Sequence, residues 1–209
     1  MKKSLALLLV MMLVLPAASS LAEEPTHILV AYFSRVGNTD FPADVDANST
    51  ASIVVQEGTV FGNTGYMARR IAESTGGDLF LIETMQKYPV SYDETVNVGS
   101  EGNAAEARPE LAAVVENLDQ YDTVFIGYPI WWYDMPMAVY SFLENHDLNG
   151  KTIIPFATSG GSGFSGSIEV MQSMYLEAVV LDGLLLGGSR VAGSDRQIDE
   201  WLTELDLRP

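Results

Sequence analysis

The chain has 209 residues, 47% of them hydrophobic, and a net charge of −17 at pH 7. A surface this acidic repels nucleic acid and anionic membranes, which sets both aside as partners. The absence of cysteine excludes disulfides, lipoprotein acylation, CxxC redox chemistry and thiolate metal sites, and two histidines far apart in sequence, His27 and His146, offer no His-rich metal centre.

The first segment, residues 1–22, reads as an export signal. Lys2 and Lys3 form the basic start, SLALLLVMMLVL the apolar core, and SLA before Glu23 the small-residue cleavage site. The apolar run is shorter than the roughly 20 residues a membrane span needs, so contact with a membrane is expected only if the signal stays uncleaved as an anchor. Taking 22 residues and their two lysines from 209 leaves 187 residues (23–209) at −19, one domain by the usual length of roughly 150 residues. The expected location is outside the cell proper: extracellular, periplasmic or cell-surface. The signal has no twin-arginine pair, so the chain is expected to cross unfolded.

Beyond the signal, near-continuous apolar runs alternate with amphipathic stretches. HILVAYFS (27–34), DLFLIET (78–84), DTVFIGYP (122–129), TIIPFAT (152–158) and EAVVLDGLLL (177–186) are rich in β-branched and aromatic residues, as strands buried on both faces are. Helical spacing is found over 64–75 (Met67, Ile71, Ala72), 109–118 (Leu111, Val114, Val115, Leu118), 136–145 (Val139, Phe142, Leu143), roughly 166–176, and 195–205 (Ile198, Trp201, Leu202, Leu205). Five strand–helix alternations predict a three-layer α/β/α sandwich on a five-stranded parallel sheet, and right-handed crossovers favour the order 2-1-3-4-5. Ligands of such sheets bind beyond the carboxyl ends of the strands where the winding reverses, here between the first and third strands.

The loops at those ends are distinctive. After the first strand comes SRVGNT (34–39), and the tripeptide GNT returns at 62–64 in FGNTGYMARRIAES. Ser34 can donate a hydroxyl to a phosphate. No helix follows the first GNT, because DFPADVDANST holds Pro42 and several turn formers. The helix starts instead at Asn63 or Thr64 as N-cap, so the amides and positive dipole end that favour an anion belong to the second copy. A loop of about 37–61 is therefore inserted inside a phosphate-binding turn. After the third strand, PIWWYDMP sets two tryptophans and a tyrosine in a loop, where a flat aromatic ligand gives them a partner. After the fourth, TSGGSG combines hydroxyls with glycines that allow close backbone approach. The connection 86–109 is long and polar, and its Tyr88 and Tyr92 either rim the site or anchor a surface crossover. No nucleophile-elbow sequence accompanies the histidines, and Asp182, Asp195, Asp199 and Glu200 read as solvated faces.

Taken in order, FSR…GNT, GYPIWW and PFATSGGSG resemble the flavodoxin-like family, over essentially the whole mature chain. The resemblance implies an FMN site with the phosphate held by Ser34, Arg35, Val36, Asn63 and Thr64. It sets Pro129, Ile130, Trp131, Trp132 and Tyr133 beside the isoalloxazine ring, and Thr158, Ser159, Gly160 and Gly161 on its other side or polar edge. The usual turn is contiguous, so the insertion is a departure, and the inserted loop is a candidate cover for the cofactor or a partner surface. A domain at −19 disfavours further negative charge on a flavin, which points to low-potential one-electron transfer. The expected function is electron transfer by an exported FMN protein with an unidentified redox partner or small-molecule electron acceptor, and no metal. Two alternatives stay open: an FMN-dependent NAD(P)H:quinone-type reductase, and a flavin-free binding protein on the same fold.

Overall fold

A computed structural model of the chain describes residues 26–42, 52–56 and 58–207. The expected signal and the middle of the inserted loop lie outside the described residues. The elements in chain order are β1 (Ile28–Tyr32), β2 (Ile53–Gln56), β3 (Thr59–Gly62), α1 (Asn63–Thr75), β4 (Asp78–Leu81), α2 (Tyr92–Ala104), β5 (Thr123–Pro129), α3 (Met137–Asn145), β6 (Thr152–Ser159), α4 (Ser167–Met174), β7 (Val179–Val180), β8 (Leu184–Gly187) and α5 (Asp195–Glu204).

The main sheet runs β4-β1-β5-β6, and both β7 and β8 pair with β6, all in parallel. This is the expected 2-1-3-4-5 order, with the fifth strand broken into two pieces. The strands bury both faces. Leu29, Ala31 and Phe33 pack with Val124, Ile126 and Tyr128 under α3 and α4, while Ile28, Val30, Phe125, Ile154 and Phe156 pack under α1 and α5. Period-two alternation thus feeds two cores, which is why the runs read as continuously apolar. α1 buries Met67, Ala68, Ile71 and Ala72 and ends at Gly76, whose left-handed φ of 73° lets its amide donate to Ala72 O.

Three expectations need correction. The helix between β4 and β5 is not 109–118 but α2, Tyr92–Ala104. Leu111 and Val115 do face the core, yet their backbone is bound as a strap. Met85 N donates to Glu110 O, Ala112 N to Glu83 O, and Val115 N to the His146 ring. Tertiary hydrogen bonds there override a helical spacing. Second, the inserted segment carries a β-hairpin, β2 with β3, pairing Ile53 with Gly62 and Gln56 with Thr59. Third, the acids of the last helix are not simply solvated. Asp199 takes Arg70 at 2.5 Å and the Ser74 hydroxyl at 3.0 Å, and Asp195 accepts from Tyr66 Oη at 2.6 Å, tying α5 to α1. Glu200 pairs with Arg196 along its own helix.

His146 is 5% exposed and stacks on Phe142. Its Nδ1 donates to Phe142 O at 2.7 Å and its Nε2 accepts from Val115 N at 2.9 Å, a pairing that only the neutral ring can make. Burial holds its pKa below the ordinary 6.5, more strongly than the Phe142 carbonyl raises it. A depressed folded pKa means that the unfolded chain binds the proton first. The stabilisation is therefore complete above about pH 6.5 and is lost as pH falls from there through the folded value. Urea midpoints at pH 7.5 and 5.0 should fall more for the natural protein than for His146→Gln. Equal falls would remove His146 from the pH dependence.

Candidate functional site

The two GNT copies divide the work at the carboxyl end of β1. Asn38, in the first copy, is fully buried. Its Nδ2 donates to Ser34 O at 3.0 Å and Ile82 O at 2.9 Å, and its Oδ1 accepts from Thr84 N at 2.8 Å and Thr84 Oγ1 at 3.1 Å. The first copy is thus a structural knot joining the ends of β1 and β4. The second copy opens α1, with Gly62 rather than Asn63 or Thr64 as the N-cap. A Cβ on Gly62 would lie 1.7 Å from Ser34 Oγ and 3.1 Å from Ser34 Cβ, so glycine lets the chain return without displacing the Ser34 side chain. Asn63 N donates to Ser52 O at 2.8 Å, leaving Thr64 and Gly65 as first-turn amides with no acceptor inside the helix. Thr64 Oγ1 meets Thr158 Oγ1 at 3.2 Å, which fastens the helix start to the end of β6.

Beyond these strand ends lies a cavity of about 800 Å³, within the roughly 300–1,000 Å³ of cofactor sites. Of the residues expected at the site, Arg35, Asn63, Pro129, Ile130, Trp131, Trp132, Thr158, Ser159 and Gly160 line it. Ser34, Val36, Thr64, Tyr133 and Gly161 are not in its wall. Ser34 is buried beneath Gly62, Thr64 against Thr158, and Tyr133 projects outward, 76% exposed.

Arg35 is 2% exposed, and its Nη2 donates to Pro89 O, Val90 O and Thr95 Oγ1 at 3.0–3.2 Å. Its charge borders the cavity while pinning the start of α2. Asn63 is 7% exposed, and its Oδ1 is buried without a hydrogen-bond partner among the described residues.

The aromatic loop is a tight turn. Trp131 and Asp134 exchange N–H···O bonds of 2.9 and 3.0 Å, and Trp132 and Tyr133 between them sit at φ of 51° and 60°. Left-handed backbone costs a bulky residue roughly 1–2 kcal/mol, and such strain clusters at functional sites. Asp134 holds the turn, accepting from Met135 N, Tyr140 Oη and Asn103 Nδ2. Trp131 packs edge-on against Phe33 and Tyr88, and Trp132 Nε1 donates to Val96 O on α2.

Several wall residues escaped sequence reasoning. Ser52 and Ile53 come from the start of the hairpin in the insertion, Thr95, Val96 and Gly99 from α2, Gly187 from the end of β8, and Gly188 and Ser189 from the turn that follows it. Tyr92 lines the cavity, one of its two anticipated roles, whereas Tyr88 stands behind Trp131. The sequence signal for α2 was the capping box Ser91-x-x-Glu94; the Ser91 hydroxyl accepts from Glu94 N at 3.4 Å. Among the described residues no cluster of His, Cys, Asp or Glu could hold a metal.

The sequence model for the family named Flavodoxin matches residues 52–205. A Bacteroides eggerthii protein described as a flavoprotein is 32% identical, with 86% of this chain and 97% of that chain covered and a TM-score of 0.64. A second protein so described, from Bacteroides uniformis, is 29% identical over 86% of this chain and 99% of that one, with a TM-score of 0.65. A Lactobacillus acidophilus flavoprotein in complex with FMN has the same fold at 16% identity and a TM-score of 0.56, covering 84% and 98%. No curated protein matches the chain.

Asn38→Ala removes four buried hydrogen bonds and strands the carbonyls of Ser34 and Ile82. The expected loss of stability is about 2–4 kcal/mol, read from urea unfolding. A loss below 1 kcal/mol would show that the first GNT is not a structural joint.

Proposed function

The chain belongs to the flavodoxin family, and from that premise we propose that it is an exported FMN protein that transfers electrons to or from a separate redox partner. The observation that carries this reading is the form of the cavity at the ends of β1, β5 and β6. One end meets a helix N-terminus, one wall is aromatic, and a third side carries hydroxyls and glycine backbone. A flavin mononucleotide offers a group for each: a phosphate, a flat ring and a polar ring edge.

The residues fit the group. In a chain at −17 the phosphate end of the wall, at the start of α1, carries mostly neutral donors: the Asn63 carboxamide and the hydroxyls of Ser52 and Ser189. Arg35 adds a cation to the same wall. The buried Asn63 Oδ1, without a partner among the described residues, calls for a donor, and the ribityl hydroxyls of FMN are donors of that kind. Trp131, Trp132, Tyr92 and Ile130 would flank the ring, with Thr158, Ser159 and Gly160 at its edge. Ser34 and Thr64 would act by fixing the helix start, and Val36, Tyr133 and Gly161 by shaping the loops. When bound, FMN supplies a ring that takes up and releases electrons. The protein's own part is to hold it, keep its phosphate end out of water and leave the aromatic turn at the surface. The acidic surface favours a partner with a basic face.

Purified or FMN-reconstituted protein should be yellow, and FMN should quench tryptophan emission, since Trp131 and Trp132 line the cavity while Trp201 packs on Phe125. Replacing both loop tryptophans with Phe should remove most of the quenching and weaken binding by about 1–3 kcal/mol. Unchanged binding and quenching in that double variant would refute the aromatic-loop assignment. For the other end, Asn63→Asp puts a negative charge in the first turn, where a helix tolerates it. FMN affinity should fall at least tenfold, about 1.4 kcal/mol, with riboflavin, which lacks the phosphate, much less affected. Equal losses for both flavins would move the phosphate away from α1.

A further inference from the structure

A second, smaller cavity of about 230 Å³ lies behind the aromatic turn. It is walled by Tyr88 and Pro89 on one side, by α2 from Val98 to Asn103 on another, and by Met135, Pro136 and Met137 below. Trp131 and Gly99 line both cavities, so one indole stands between them. We propose that this second cavity binds a small neutral aromatic carbonyl compound, with the ring against Trp131 and the methionines and the carbonyl oxygen on the Tyr88 hydroxyl.

Size, wall chemistry and charge each support this occupant. An apolar protein cavity of roughly 150 Å³ takes up benzene, so 230 Å³ holds one ring with a substituent or two fused rings. Thioethers and aromatic edges are favourable neighbours for an aromatic ring, and Met135, Met137 and Trp131 all belong to the wall. Pro89, Pro109 and Pro136 stiffen the walls, which lowers the ordering cost of binding.

Three polar side chains of the cavity wall have donors to spare. The Tyr88 hydroxyl has no protein partner among the described residues, and burial raises its pKa to about 12, so it stays a protonated donor. Lys87 gives two of its three hydrogens to Gly37 O and Glu83, leaving one. Asn103 gives one amide hydrogen to Asp134, leaving the other. Among the described residues no carboxylate lines the cavity, although the chain has 28 acids. A carbonyl oxygen matches donors of this kind. An anion matches less well, because the nearest cation already pairs with Glu83 and Asp134 stands just behind Asn103.

This site does not depend on the flavin reading, and the test separates the two. Acetophenone is titrated into the full chain with and without saturating FMN, following Met135 and Met137 methyl resonances by NMR. Both methyls should shift in the presence and absence of FMN, and benzoate, its anionic counterpart, should bind at least tenfold more weakly. Tyr88→Phe should weaken acetophenone several-fold and leave toluene unchanged.

At Gly102 a Cβ would meet Met137 Cγ at 3.7 Å and Ala107 Cβ at 4.0 Å, ordinary contact distances, so Gly102→Leu fills the cavity from a helical position. It should abolish acetophenone binding and leave FMN affinity within twofold. The proposal fails if the methyls do not move, if FMN displaces acetophenone, if benzoate binds equally well, or if Gly102→Leu folds and still binds acetophenone. Loss of FMN binding with acetophenone binding intact would refute the flavin reading alone.

Discussion

The carboxyl end of the sheet depends on one contact, the return of the chain at Gly62 onto Ser34. Ser34 lies two residues beyond β1, and after the insertion the chain must begin α1 where a contiguous turn would have begun it. The space available is a hydrogen atom's, since a Cβ at position 62 would lie 1.7 Å from the Ser34 hydroxyl. The hairpin β2–β3 makes this return reproducible by bringing Ser52 O under Asn63 N and setting Ile53 opposite Gly62. Loop-closure entropy grows only slowly with length, so an insertion costs little provided its two ends are clamped. Asn38 clamps the outgoing end with four buried hydrogen bonds, and the hairpin ladder clamps the incoming one.

The duplicated tripeptide therefore has no redundancy. Its first asparagine faces inward and satisfies backbone groups just beyond β1 and β4; its second lines the cavity, with a buried oxygen that no described residue satisfies. Buried polar groups are nearly always paired, so the contrast between identical sequences lies in what surrounds them. Arg35 divides its role in a similar way. Its position after β1 brings it to the cavity wall, and its hydrogen bonds to Pro89, Val90 and Thr95 make it the fastening of α2.

What was legible in the sequence follows from the same physics. Parallel strands buried on both faces carry a continuous apolar signal, so the runs at 27–34, 122–129 and 152–158 coincide with β1, β5 and β6, and the strand order followed from handedness. Three loops at the strand ends were recognisable because their tryptophans, hydroxyls and glycines have no use in a core. α2 was illegible by periodicity because Thr95 alone of its residues is buried; its inner face lines two cavities instead of packing on the sheet. The stretch 109–118 misled for the converse reason: Leu111 and Val115 have helical spacing, yet tertiary bonds at Glu110, Ala112 and Val115 hold the backbone there as a strap. The contributions of Ser52 and of Gly187 to Ser189 arise from long-range folding that no local pattern encodes.

The weakly cored α2 also explains how the two cavities are joined. Thr95 and Val96 face the larger one and Val98, Gly102 and Asn103 the smaller, with Gly99 common to both. A Cβ at Gly99 would touch Trp131 Cε3 at 3.5 Å and Trp132 Cδ1 at 3.6 Å, so the helix rides directly on the two indoles. Its other attachments are the Arg35 guanidinium at its first turn, the Trp132 indole N–H on Val96 O, and Asn103 on Asp134. All of these reach residues at the rim of a cavity and none reaches the sheet core. An element held in this way has a local stability set by its rim contacts rather than by apolar burial.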